Sequence, residues 1–228
     1  MRSLLDIGRM AYYVSRRKKI KDVIISGGDP FLYSTDRLEY IIKKFRDIKH
    51  VEVIRIGTRA PVVLPQRVDD HLVSMLKRYR PIWLNTQFNH PREITKESKF
   101  ACDKILSAGI SVNNQSVLLR GVNDSVKTMI ELCRGLLSIG VRPYYLYQCD
   151  IVKGAGHFRT RLSKGTQIIK AMRGEISGMA VPHFVVDLPK GGGKVPLEPQ
   201  YVVKRLKKKT IFRNFEGRII KYEEKTGK

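Results

Sequence analysis

Short apolar runs alternate with amphipathic stretches along most of this chain, and that alternation does most to limit what it can fold into. Runs rich in β-branched and aromatic residues at 22–26, 51–57, 82–88, 112–119, 143–148 and 184–187 read as strands. Between and before them, 7–17, 36–47, 69–79, 96–108, 126–138 and 166–172 carry apolar positions at helical spacing. In the second of these, Leu38, Ile41, Ile42 and Phe45 share one face, with a cap expected near Ser34 or Thr35. The strand-to-strand interval is about 30 residues, the length of a βαβ unit. A connection of that size carries a helix back across the sheet and returns the next strand parallel to the last. After residue 200 the pattern changes: 201–203, 210–213 and 218–220 read as short strands of β-hairpins, with Glu216-Gly217 in a turn. We therefore expect residues 1–200 to form a partial parallel (β/α) barrel and 201–228 a C-terminal β extension.

Nearly every expected strand carries polar residues at or near its end: Ser26-Gly27-Gly28-Asp29, Arg59, Asn85 and Gln87, Asn113 to Gln115, Asp150 and Asp187. Each alone could be a cap or turn residue. Strand ends of a parallel barrel meet on one face, where ligands bind, so the series points to a site.

The 228 residues, 42% of them hydrophobic, are enough for a substantial core and exclude wholesale disorder. No apolar run approaches the roughly 20 residues of a membrane-spanning helix, and no secretory signal is evident. Cys102, Cys133 and Cys149 are too far apart for a CxxC-type metal pair and read as reduced thiols of a cytoplasmic protein. The net charge of +23 admits a nucleic-acid partner. The basic residues are spread along the chain, though, and their clusters at 16–21 and 204–209 are not interleaved with stacking aromatics, so we expect none.

The stretch Phe184-Val185-Val186-Asp187-Leu188-Pro189-Lys190-Gly191-Gly192-Gly193-Lys194 has its own chemistry. A strand ends in an acid, glycines allow positive φ and close backbone approach, and a long amine follows on what reads as a mobile arm. An amine beside a carboxylate suits a lysine that condenses with an aldehyde cofactor. On these residues alone an ordinary strand exit with a solvated lysine explains the stretch at least as well. A phosphate loop does not, because no Ser or Thr follows Lys194.

The ordered set of motifs resembles the lysine 2,3-aminomutase family of radical S-adenosylmethionine (SAM) enzymes from about residue 7 to 222. The strings are Ser26-Gly27-Gly28-Asp29, Arg55-Ile56-Gly57-Thr58-Arg59-Ala60-Pro61-Val62, Trp83-Leu84-Asn85-Thr86-Gln87-Phe88-Asn89-His90-Pro91, Asn114-Gln115-Ser116-Val117-Leu118-Leu119-Arg120-Gly121-Val122-Asn123-Asp124, Arg142-Pro143-Tyr144-Tyr145-Leu146-Tyr147-Gln148-Cys149-Asp150, His157-Phe158-Arg159-Thr160 and the stretch ending in Lys194. The resemblance implies an incomplete radical SAM barrel and a migration of the α-amino group of L-lysine to the β position. It implies three cofactors: pyridoxal phosphate on Lys194, SAM at Gly27, Gly28, Asp29 and Gln115, and a [4Fe-4S] cluster. It makes Asp150 and Asp187 the pair that holds the side-chain ammonium of lysine, and two carboxylates around one desolvated ammonium select a cation.

The chain also departs from the family pattern. It holds no CxxxCxxC, the cluster motif, and its cysteines lack the spacing to replace it. Met1 falls where the helix after the first barrel strand begins, so the first strand and cluster loop are expected to be missing through truncation. The chain alone is then expected to be inactive. The alternative is a non-catalytic pyridoxal-phosphate-binding remnant, or a subunit that needs a partner chain. Gln87 stands where His is expected, and no zinc-binding cysteines occur near the C-terminus. Association of identical chains is left open.

Overall fold

A computed structural model describes residues 4–224. The chain divides into two compact units, residues 1–115 with 135–142, and residues 116–134 with 143–228.

The first unit begins with α1 (Leu4–Ser15), followed by β1 (Asp22–Ile25), α2 (Thr35–Arg46) and β2 (Val53–Gly57). A helical turn α3 (Ala60–Val63), α4 (Asp70–Arg78), β3 (Ile82–Thr86), α5 (Lys96–Ser107) and β4 (Ser111–Leu118) complete it. β4 contributes residues 111–115 here and 116–118 to the second unit. β1, β2, β3 and β4 pair in parallel in that order. The helices α2, α4 and α5 start within one residue of the expected positions, whereas α1 begins three residues before its expected start and α3 was not expected. Ser34 Oγ accepts from Arg37 N, Asp69 Oδ1 accepts from Leu72 N at 2.7 Å, and Thr95 and Ser98 form a reciprocal capping box on α5. Gly109, at φ 76°, follows α5, which a residue with a Cβ would do under strain.

The parallel register sorts the side chains by face. Ile54, Ile56, Leu84 and Val112 are buried on one face and form the core with Leu38, Ile42, Leu72 and Met75 of the helices. Each such side chain stabilises the unit by about 1.5–3 kcal/mol relative to its exposed state. The other face carries Ile24 and Trp83, both exposed, with Asn85 and Asn113. Arg55 reaches Asp22 there through Nε and NH2, at 3.0 and 2.8 Å.

The second unit contains the start of α6 (Val126–Ser138), β5 (Arg142–Gln148) from Pro143 onward, α7 (Leu162–Met172), β6 (His183–Leu188) and β7 (Gly193–Pro196). β5 and β6 are parallel, whereas β6 and β7 form an antiparallel hairpin. The ring of Phe184 on β6 is fully buried and packs so closely on α7 that a Cβ at Gly165 would overlap it. β8 (Val202–Leu206), β9 (Lys209–Arg213) and β10 (Ile219–Glu223) form a separate antiparallel sheet in the order β10-β9-β8, which gives the expected tail hairpins. Gly217, at φ 86°, sits in the expected turn before β10. The ends of the expected tail, residues 225–228, lie outside the described residues.

Candidate functional site

The parallel pairing of β1, β2 and β3 puts their carboxyl ends on one edge of the first unit. Ser26 to Asp29 leave β1, Thr58 and Arg59 leave β2, and Gln87 to His90 leave β3. Asn113 to Gln115 are not past the end of β4 but within it. They are level with the others because Asn85 and Thr86, which end β3, pair with Asn113 and Asn114 of the longer strand.

Gly27 and Gly28 turn the chain at φ 98° and 55°, left-handed conformations that disfavour any side chain. Both are exposed, and they line a cavity of about 830 Å3 together with Asp6 and Met10 of α1. The side chain of Asp29, named with them from the sequence, is engaged within the chain. Its Oδ1 accepts from Phe31 N at 3.0 Å and from the Thr58 hydroxyl at 2.5 Å, and its Oδ2 accepts from Arg59 N at 2.6 Å. The carboxylate is thus turned onto the β2 exit and holds the glycine turn against it.

A second carboxylate extends the tie. Glu93 Oε1 accepts from Arg59 NH2 at 2.6 Å, and its Oε2 accepts from the backbone N–H groups of Asn89 and His90 at 2.5 and 3.0 Å. Asn114, 1% exposed, accepts from Phe88 N and donates to Phe88 O. Arg59, Glu93 and Asn114 were not separable by sequence reading as anchors of these exits. Gln115 is half-exposed on the face shared with Asn113 and Asn85, and among the described residues no hydrogen bond joins it to the glycine turn.

In the second unit two of the sequence-named residues, Asp187 and Lys194, lie side by side. Lys194 is not on a mobile arm. It lies on β7, directly across from Asp187 in the hairpin register. The turn is tight because Lys190, Gly191 and Gly193 take φ of 58°, 77° and 80°. Lys194 Nζ donates to Asp187 Oδ1 at 2.6 Å. Two aromatic rings of β5 complete the surroundings: Nζ is 4.1 Å from the ring centroid of Tyr147 and 5.5 Å from that of Tyr145. Burial pulls the Lys194 pKa down, but the Asp187 carboxylate and the Tyr147 side chain outweigh it and hold the ammonium above the ordinary lysine value. Burial pushes the Tyr147 phenol up, against the pull of Lys194.

Tyr145 and Tyr147 were missed as site residues. Their spacing of two along a strand, which places both on one face, was the available signal. Asp150 lies just past β5, as Asp187 lies past the last β5–β6 pair, Tyr147 with Val185, so both acids are at the same end of neighbouring parallel strands. Asp150 is exposed and takes part in no ion pair among the described residues.

The cysteines do not fit an iron–sulfur cluster. Cys102 and Cys133 are buried on helices, and burial pushes both thiols up to about 12, away from the thiolate a metal needs. Among the described residues no three His, Cys, Asp or Glu side chains gather as a metal site, and no helix is long and apolar enough to cross a membrane.

This arrangement of parallel strands and helices is shared with solved enzymes of low sequence identity. A radical SAM methyltransferase from Sphaerobacter thermophilus matches with a TM-score of 0.57 and 20% identity, over 81% of this chain and 58% of that one. Streptococcus suis SuiB bound to S-adenosylmethionine matches with a TM-score of 0.58 and 12% identity, over 80% and 43%. The chain shares its fold with these two structures, one of them a radical SAM methyltransferase.

Sequence narrows the class. Residues 169–227 match the family model described as lysine-2,3-aminomutase. The L-lysine 2,3-aminomutase of Clostridium subterminale is 57% identical over 212 residues, 93% of this chain and 51% of the relative. The glutamate 2,3-aminomutase of Clostridioides difficile is 46% identical over 212 residues, again 93% of this chain, and 50% of the relative. The chain is thus similar to lysine 2,3-aminomutases over nearly its whole length, and it spans about half the length of these curated relatives.

Proposed function

We propose that this chain is the pyridoxal-phosphate- and substrate-binding half of an L-lysine 2,3-aminomutase. The observation that carries the reading is the cross-strand pair of Asp187 and Lys194, an amine and an acid fixed side by side on an accessible strand face. Pyridoxal phosphate, when bound, supplies an aldehyde carbon that takes up an amino group and delocalises the charge or unpaired electron next to it. Lys194 is the primary amine available to that aldehyde, and Tyr147 fixes its approach by packing under Nζ. Asp187 and Asp150 receive the side-chain ammonium of the substrate. An acid pair favours lysine over glutamate, whose second carboxylate would be repelled. In the first unit, the exposed turn at Gly27 and Gly28 suits the ammonium of the SAM methionine moiety. Asp29 holds that turn in place from behind, and Gln115 offers an amide on the polar sheet face.

A cluster held by this chain does not fit its residues. That mismatch favours, as the second reading, a chain that binds pyridoxal phosphate but takes no part in SAM cleavage without thiolates from elsewhere. The test is direct. Pyridoxal phosphate is added to the protein, the adduct is fixed with borohydride, and the modified peptide is located by mass spectrometry. Modification centred on Lys194 and lost in Lys194→Ala is the expected result. Unchanged uptake in Lys194→Ala removes the assignment.

A further inference from the structure

Lys194 does more than stand beside Asp187. Its ammonium meets a carboxylate oxygen at 2.6 Å and lies over the rings of Tyr147 and Tyr145, 4.1 and 5.5 Å from their centroids. A carboxylate opposed to aromatic faces is a receptor for a primary ammonium: the oxygen takes a hydrogen bond and the rings take the remaining positive charge. The strands set all four groups on one face. Tyr145 and Tyr147 alternate along β5, Val185 pairs with Tyr147, Asp187 is two residues further along β6, and Lys194 is its partner on β7. The site is open enough to exchange its occupant, with 33% of the Lys194 side chain and 44% of the Asp187 side chain exposed.

We propose that Asp187, Tyr145 and Tyr147 form a primary-ammonium site that Lys194 fills itself while its amine is free. The chain therefore plugs its own substrate subsite. An incoming ammonium competes with a tethered one for the same oxygen and the same rings. When Lys194 is engaged elsewhere, the site opens. Uptake of an aldehyde by Lys194 and uptake of a cationic side chain by Asp187 are then coupled, each making the other more favourable. This deepens the proposed function and rests on its reading of Asp187 and Lys194. It adds that cation binding follows loading of the lysine, and it gives Tyr145 and Tyr147 a role in selecting the cation.

The test uses n-pentylamine as the cation and n-pentanol as its neutral counterpart, with affinities read by ligand-observed NMR on cofactor-free protein. Wild type, Lys194→Met, Lys194→Gln and the double variant Lys194→Met with Asp187→Asn are compared. Lys194 lies on an exposed strand, and two replacements of different polarity guard against one that disturbs the hairpin. The expected result is a gain of about tenfold or more in pentylamine affinity in both single variants. Pentanol binding is unchanged, and the gain is lost in the double variant. Equal pentylamine affinity in wild type and both single variants overturns the proposal, as does a gain that survives Asp187→Asn. The borohydride experiment separates the two claims. Fixation at Lys194 together with equal affinities sinks only the self-plugged site. Fixation elsewhere together with the tenfold gain sinks only the cofactor assignment.

Discussion

Replacing Asp29 by Asn tests whether this carboxylate ties the glycine turn to the β2 exit. Both oxygens are committed: Oδ1 to Phe31 N and the Thr58 hydroxyl, Oδ2 to Arg59 N. The Thr58 hydroxyl cannot simply turn away, because its oxygen already accepts from Ala60 N at 3.1 Å and its proton is directed at Asp29. An amide has one oxygen. If that oxygen keeps Phe31 and Thr58, its NH2 faces the N–H of Arg59, donor against donor; if it flips, the conflict moves to the other two. A hydrogen bond to a charged group contributes about 1.5–3 kcal/mol, and the half-exposed position of Asp29 favours the lower part of that range. We expect Asp29→Asn to cost about 2 kcal/mol, which for a chain of this size lowers Tm by about 4–8 °C. Calorimetry measures the shift, and hydrogen exchange at the Arg59 amide locates it, since that N–H loses its acceptor. A loss below about 0.5 kcal/mol with unchanged protection of the Arg59 amide refutes the account.

Gly165→Ala drives a methyl group into the buried Phe184 ring beneath the site strand, and overpacking of this kind costs about 1–3 kcal/mol in urea unfolding; a neutral result means that α7 can slide away from β6. Glu39 accepts from Arg78 at 2.9 Å and from the Tyr79 hydroxyl at 2.8 Å, and these two bonds hold its carboxyl below the usual value. Its stabilisation is complete above the unfolded carboxyl pKa and fades as pH falls through the lowered folded one. The Tm gap between wild type and Glu39→Gln is therefore present at neutral pH and closes in acid; a gap that widens in acid contradicts the assignment. Cys102 and Cys133, with thiols pushed up to about 12 by burial, do not react with a thiol reagent at pH 8 until the protein unfolds. Their labelling in the native state, resolved by peptide mapping, would show that these helices open.

Much of the architecture was legible because burial leaves a periodic trace. Apolar residues every second position on β2 and every third or fourth on α2 report one buried face each, and the connection lengths then require parallel strands. The cap at Ser34 was legible for a local reason, since its side chain bonds a backbone group three residues on. Asp29 shows where that reading stops. Its neighbours suggested a ligand contact, but its partners Thr58 and Arg59 are about thirty residues away along the chain and only the pairing of β1 with β2 brings them within reach.

Lys194 divides the two kinds of information most clearly. Sequence alone determined that an amine and an acid flank a glycine-rich turn, because residue types and positive-φ tolerance are local properties. It did not determine that the turn closes into a hairpin with Lys194 opposite Asp187, nor that Tyr145 and Tyr147 line the same face. Strand register decides those contacts: a shift of one residue would send Lys194 to the other side of the sheet. The tight turn at 189–192 closes that hairpin register, while the pairing of β5 with β6, which tertiary structure alone brings about, puts Tyr145 and Tyr147 on the face where Lys194 lies.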